Sequence, residues 1–525
     1  MNFTRRLSIL ALGLVAFPLL AAPPVLTIFD PPGGQRGSTI DVAFTPADTV
    51  IVWSSSPNVI IESSKTKGKF AVRIAPDASP GVVWLRAFND QGASNLRPFI
   101  VGNLPEIAEK SPQKIDVPAC VINGKLSKTN EVDSFSMPMK KGQTLVASLL
   151  ANRVLRSPMD AILQVVSADG FVLDQNHDFD GLDPQITYTV PNDGVYTVRV
   201  FCFPSQPDTS IRFMGGDLYQ YRLILSREAF ADHAMPLAVT KVKPSPVNIV
   251  GWNLSDDVKQ LPVVGTPDDE DVVSLFHPKL PNSIGVRLEP HATWNATDAE
   301  FLKRTEPLAT PFSLTGRIDN SNAMNVFPFV AKKGQPLLIE IESRTIGLSL
   351  TPVLRILDTT GKVLQRAEPS ALDQDTKLTF QPPADGVYRI EVSDHYREGG
   401  PRFVYRLRVV AQQPDFALTV ASDRFTITPG KPLEIPVTIV PTNGFKGDIA
   451  LTAEGLPEGV KATVTKADAK IITLQFVADK GGINAPFRIV GRTKTMPEVV
   501  RTARVKLADL DESLPYLWVH APEKK

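Results

Sequence analysis

Residues Ile186 to Val200 read ITYTVPNDGVYTVRV. The stretch is two β-strands joined by a turn. Ile186, Tyr188 and Val190 share one face of the first strand, and Tyr196, Val198 and Val200 share one face of the second. Thr187, Thr189, Thr197 and Arg199 point the other way. Asp193-Gly194 makes the turn, because glycine takes positive φ without steric cost and aspartate hydrogen-bonds its own backbone. The pattern recurs at Leu378 to Val392, LTFQPPADGVYRIEV. Around both stretches other signals keep step: Gly124 and Gly316, Phe135 and Phe327, Gly142 and Gly334, and Gly194 and Gly386 each lie 192 residues apart. One register held at four separated places marks a duplication.

The rest of the chain has the same texture. Its 46 prolines fall mostly between short β-like runs, where they break strands and protect edges, and long amphipathic helical patterns are absent. An all-β fold of tandem β-sandwich domains follows. Arg5-Arg6, an uncharged apolar run from Leu7 to Leu20 and Ala21-Ala22 predict a signal peptide over residues 1–22, cleaved between Ala21 and Ala22. Thr4-Arg5-Arg6 is also similar to a twin-arginine signal. The expected location is therefore exported: periplasm, cell surface or extracellular space. No later apolar run is long enough for a transmembrane helix. With 56 basic and 56 acidic residues and no large block of either sign, the chain has no electrostatic footprint for nucleic acid or an anionic membrane.

Five domains are expected. Residues 23–103 hold about seven short strand candidates, an immunoglobulin-like count. Residues 104–228 carry the first copy of the duplicated unit and residues 301–411 the second. The spacer at 229–300 is too long for a linker and reads as a degenerate immunoglobulin-like domain. Residues 412–508 form a last immunoglobulin-like sandwich, followed by a charged C-terminal tail at 509–525, loosely held apart from Leu514–Val519.

The duplicated unit runs through Gly124-Lys125-Leu126, Asp133-Ser134-Phe135, Lys140-Lys141-Gly142-Gln143, Asp169-Gly170-Phe171-Val172, Pro191-Asn192-Asp193-Gly194-Val195-Tyr196 and Tyr221-Arg222-Leu223. In this order it resembles the bacterial pre-peptidase C-terminal domain, a β-sandwich appended to secreted peptidases and other exported proteins. Gly33-Gly34-Gln35-Arg36-Gly37 and Ser94–Gly102 are similar to the lead-in domain found before it in large exported proteins of planctomycete-type bacteria. Gly455-Leu456-Pro457-Glu458-Gly459-Val460 is similar to immunoglobulin-like modules in the same proteins. The resemblance implies fold and export and is nearly silent about chemistry. The acids from which family members build a calcium site are only partly present at Asn130–Asp133 and are replaced at Ala323-Met324-Asn325.

Few residues suggest chemistry. Asn176-His177-Asp178-Phe179-Asp180-Gly181 matches the first half of an oxygen-ligand calcium loop. Asn176, Asp178, Asp180 and Asp183 are candidate ligands, and a solvated acidic loop is the plain alternative. Cys120 and Cys202 lie in one domain; they form either a disulfide or two small buried hydrophobes in adjacent strands. Asp394-His395-Tyr396 is a local cluster that also reads as a surface loop. Trp84 is either a partly exposed platform for a sugar or peptide or a tryptophan closing a sandwich edge. Tyr219, Tyr221, Tyr388 and Tyr405 read as core and corner residues. The six histidines are scattered, and nucleophile elbows, phosphate loops and haem motifs are absent. The expectation is a non-catalytic exported scaffold or adhesion protein with a protein or polysaccharide partner and no cofactor. The alternatives are a carbohydrate- or matrix-binding accessory of a secreted peptidase or glycosidase, and a hydrolase whose site is assembled between domains.

Overall fold

The computed structural model describes residues 22–44, 50–206, 209, 212–264, 271–371, 374–494, 499–507 and 513–523. The leader reading falls on residues that lie outside these, apart from Ala22. Helix among the described residues is confined to Ala299–Leu302 and a 3-10 turn at Arg344–Ile346. The remainder is a series of two-sheet sandwiches, as the alternation and turn signals predict.

The two copies of the duplicated unit have one topology. In copy 1 the first sheet runs Glu106–Ala108, Ala119–Lys125, Gln220–Ser226, Thr144–Leu150, Gln185–Thr189. The second runs Gln113–Lys114, Asp133–Met139, Gly194–Pro204, Met159–Val166, Val172–Asn176. Copy 2 repeats both orders, beginning with Ala292–Asn295 in one sheet and Leu308–Ala309 in the other. In every one of these sheets the first strand is parallel to its neighbour and the rest are antiparallel.

The stretch from Ile186 to Val200 is not a hairpin. Gln185–Thr189 edges one sheet and Gly194–Pro204 sits in the middle of the other, so the Asp193-Gly194 turn is a corner between layers. That is why both apolar faces meet: Ile186, Val190, Tyr196, Val198 and Val200 are buried in a single core cluster. Leu378, Phe380, Tyr388, Ile390 and Val392 do the same in copy 2. Each such side chain removed from water is worth about 1.5–3 kcal/mol, which is what holds the two layers together.

The three other domains share a different plan, a short strand lying parallel to the domain's last strand. Gly33–Gln35 lies along Arg97–Gly102, Ala238–Thr240 along Ile284–Glu289, and Arg424–Thr426 along Leu517–Ala521. Two expected boundaries change as a result. Copy 2 begins at Ala292 rather than 301, because Ala292–Asn295 pairs with Phe312–Arg317. The C-terminal segment is not a tail. Leu517–Ala521 lies between Arg424–Thr426 and Ile483–Thr493 inside the last sandwich, with all five residues buried. The middle domain is small, two three-stranded sheets around their own core.

Candidate functional site at the domain junction

The recurring residues of the duplicated unit spend their polar groups on their own backbone. Asp193 accepts the N–H of Lys141 at 2.8 Å, and Asp385 that of Lys333 at 2.7 Å. Tyr196 donates to the carbonyl of Asn192 at 3.0 Å, and Tyr388 to that of Ala384 at 2.8 Å. Asp183 accepts the N–H groups of Ala151, Asn152 and Arg153 at 3.1, 2.7 and 3.2 Å. Asp375, 192 residues on, accepts those of Ser343, Arg344 and Thr345. These carboxylates are the fixed acceptors of tight backbone bends.

The four candidate calcium ligands are committed in a similar way. The side chains of Asn176, Asp178, Asp180 and Asp183 are each engaged with other groups of the chain. Asn176 accepts the N–H of Gln185 at 3.1 Å, Asp178 pairs with His177 at 2.7 Å, and Asp180 pairs with Arg153. Asp183 is buried beneath the bend it caps, and burial pushes its carboxyl up to about 6 against those three N–H bonds. Among the described residues no group of three or more acids, histidines or cysteines is placed to hold a metal ion. The cysteines are free thiols on opposite sheets of copy 1, sharing one core. They are not in adjacent strands, and burial raises Cys120 to about 11 and Cys202 to about 12. Trp84 is half-buried and packs against the cluster of Leu96 and Leu514, so it seals a seam. Tyr221 and Tyr405 are fully buried and Tyr388 nearly so, while Tyr219 packs on the same core as Tyr221. In the Asp394-His395-Tyr396 cluster, Asp394 is buried and accepts three backbone N–H groups, from Thr351, Tyr396 and Glu398.

Four domains meet around a cavity of about 360 Å³. Val82, Ile100 and Gly102 come from the first domain, Leu149, Phe179, Asp180, Asp183, Gln185 and Arg222 from copy 1. Phe230 and Asp232 come from the middle domain, Ile346, Gly347 and Arg402 from copy 2. Its charges are already matched. Arg222 makes a two-pronged bond to Glu106 at 2.7 and 2.8 Å and a third to Asn123 at 2.8 Å. The first domain lies directly on this guanidinium: a Cβ at Gly33 would stand 2.2 Å from Arg222 Nη1, so no larger residue fits there. Arg402 bonds both oxygens of Asp232 at 3.0 Å and lies over the Phe179 ring at 4.1 Å. Burial raises the Asp232 carboxyl, but His233 at 2.8 Å and Arg402 more than offset it and hold it below the usual range. The unmatched group is Gln185, 8% exposed, whose Nε2 has no acceptor.

A second seam joins the middle domain to copy 2. Arg406 bridges Glu289 and Glu342, and Arg287 reaches Glu342 at 2.5 and 3.1 Å. Arg222 and Arg406 are the arginines of the two Tyr-Arg-Leu motifs, and sequence reasoning missed their role. The signal was present. An arginine between two core residues in a strand points to the outer face of its sheet, and there each copy receives the domain that precedes it.

No family model matches the chain, and no curated protein matches it. Solved structures that resemble it include tripeptidyl peptidase 2, 9% identical over 90% of this chain with a TM-score of 0.17. The chain spans 39% of that protein's length. SGBP-B of the Bacteroides ovatus mixed-linkage glucan utilization locus, solved with a mixed-linkage heptasaccharide, is 8% identical, with 72% of each chain covered and a TM-score of 0.14. The eight N-terminal Ig domains of the Down syndrome cell adhesion molecule are 8% identical over 93% of this chain and 100% of that one, with a TM-score of 0.15. Likeness at these scores says nothing of activity or ligand.

Proposed function

We propose that the chain is an exported, non-catalytic scaffold and binding protein acting in the envelope or outside the cell on a protein or polysaccharide partner, with its duplicated unit a pre-peptidase C-terminal type of sandwich. The observation that carries this reading is that the recurring polar residues of both copies bind their own backbone or lock one domain to the next. Asp183 and Asp375 cap bends, and Arg222 and Arg406 hold seams. The result is a set of sandwiches fixed relative to one another, which suits display of surface loops to a partner. No helix among the described residues is long and apolar enough to cross a membrane.

The test uses the full chain expressed with its leader in a bacterial host. Export with a new N-terminus at Ala22, retention on a polysaccharide or matrix-protein panel, and no turnover of peptide and glycoside substrates are expected. Retention of the leader in the cytoplasm removes the export reading. Turnover that follows the purified protein and is lost in His395→Ala, an exposed position, overturns the non-catalytic one.

A further inference from the structure

The two copies agree at their turns and corners and part company at one end of one sheet. In copy 1 that end is sealed by three rings: Phe213 packs on Phe201 and Phe203 at centroid distances of 4.8 and 5.1 Å. The carbonyl of Phe213 also accepts the N–H of Asn130 at 3.3 Å. In copy 2 the offset of 192 carries Phe201 to Ser393 and Phe203 to His395, while the neighbouring hairpin runs at an offset of 191, so that the paired Gln164 and Gln175 of copy 1 become the paired Arg355 and Arg366. The next loop is eight residues shorter, since Tyr221 and Tyr405 lie only 184 apart. Asn322, equivalent to Asn130, gives its N–H to the carbonyl of Arg397 at 2.8 Å. Arg397 therefore stands where Phe213 stands. In place of the aromatic plug copy 2 has a pocket of about 380 Å³, lined by Arg355, Arg366, Arg397, Ser393, His395 and Asn322 among others.

The charges there are unevenly committed. Arg355 is bound to Glu391, which is buried. Arg366 pairs with Glu368, whose other oxygen stands 3.8 Å from the His395 ring; Arg366 and Glu368 are both more than a third exposed, and an exposed pair contributes little, so an incoming anion displaces it readily. Arg397 is exposed and makes no ion pair among the described residues. The one carboxylate on the wall, Asp394, is spent on three backbone N–H groups. Beside the pocket Tyr396 is 55% exposed and meets the His395 ring edge-on at 5.0 Å. A planar guanidinium next to an exposed ring suits an oxyanion carried on a sugar: the fork takes the anion and the aromatic takes the apolar face of the ring.

We propose that this pocket of copy 2 binds the carboxylate or sulfate of an acidic saccharide, with Arg397 and Arg366 as its anchors. The proposal deepens the polysaccharide arm of the reading above and rests on it. It is tested by calorimetric titration of the full chain with a uronate oligosaccharide, a sulfated oligosaccharide and a neutral one of equal length. Binding of an acidic sugar and not of the neutral one is expected, and the stronger of the two acidic ligands identifies the anion. Arg397 has φ 61°, a conformation asparagine tolerates, so Arg397→Asn removes the charge without disturbing the loop. It should weaken binding at least about tenfold. Arg366→Gln, which installs the residue of copy 1, should do the same, and Arg73→Gln on the first domain should not. Equal binding of the neutral sugar, unchanged affinity in Arg397→Asn, an equal loss in Arg73→Gln, or no binding of any of the three overturns the pocket. Polysaccharide retention that survives Arg397→Asn would do so while leaving the scaffold reading intact.

Discussion

Asp133 and Asn325 occupy equivalent positions, and the difference between them isolates one buried charge. Asp133 accepts the Tyr221 hydroxyl at 2.6 Å, whereas Asn325 donates to the Tyr405 hydroxyl oxygen at 2.9 Å. Both tyrosines lie over a glycine, Gly124 or Gly316, whose added Cβ would stand 2.2 or 2.4 Å from the ring. Burial above all lifts the Asp133 carboxyl to about 6; the Tyr221 bond opposes this, and Glu109 and Glu131 add to it. A carboxyl raised in the folded state binds its proton more tightly there than in the unfolded chain. The stability it contributes is complete below its unfolded value near 4 and is lost as pH climbs through about 6. Asp133→Asn, the choice copy 2 already makes, should leave stability at pH 4 unchanged and raise it at pH 8 by about 1 kcal/mol in urea unfolding. A variant with the wild-type pH profile would show that the charge is solvated. Asp183 and Asp375 differ from this pair in what they hold, since their oxygens accept backbone N–H groups of a tight bend. Replacing either by alanine leaves three backbone N–H groups without their acceptor and should cost about 3 kcal/mol in the same measurement.

At the scale of the element, the last strand is the sharpest departure from expectation. Leu517–Ala521 does not alternate because neither of its faces meets water. Leu517, Val519 and Ala521 enter the core of the last sandwich, while Trp518 turns to the first domain, 5.0 Å from Phe88 and 6.0 Å from Trp53. Ending the chain after residue 512 should therefore unfold the last domain, not trim it. Limited proteolysis should release 412–512 rapidly, and the circular-dichroism melt should gain an early phase. A truncated chain with the native digestion pattern would restore the tail reading. The contrast explains what could be read from the sequence. Strands and corners are specified locally, by period-two alternation and by Asp-Gly pairs, and the register of 192 tied the two copies together. Sheet partners are specified by contacts up to about a hundred residues apart, and seams by contacts as far as 395 residues apart. Asp183 illustrates the limit: loop spacing offered it as a calcium ligand, but nothing local said that the backbone of residues 151–153 would take its oxygens. Arg397 is equally opaque until the loop deletion aligns it with Phe213.

The molecule as a whole is closed on itself. Its first and last domains, separated by more than 300 residues of chain, are joined by Arg86 and Asp423 at 2.5 Å, both buried. The Arg86 guanidinium lies over Trp518 at 5.7 Å, and Asn484 and Arg424 reach carbonyls of Asn89 and Ala93 at 3.0 and 3.1 Å. Burial lowers the Arg86 pKa even with Asp423 beside it, so this pair holds the joint only while both partners are present. Removing one strands a desolvated charge: Asp423→Ala should cost about 3–5 kcal/mol and open the joint. Replacing both by leucine removes the charge and its partner together and should cost much less, because a well-packed apolar pair roughly matches a buried ion pair in stability. Small-angle scattering separates the cases. Asp423→Ala should increase the radius of gyration and expose the 81–89 strand to protease, while the double leucine variant should keep the wild-type dimensions. If both variants scatter like the wild type, the ion pair is not what closes the chain, and the apolar seam of Trp53, Trp84 and Trp518 carries the closure instead.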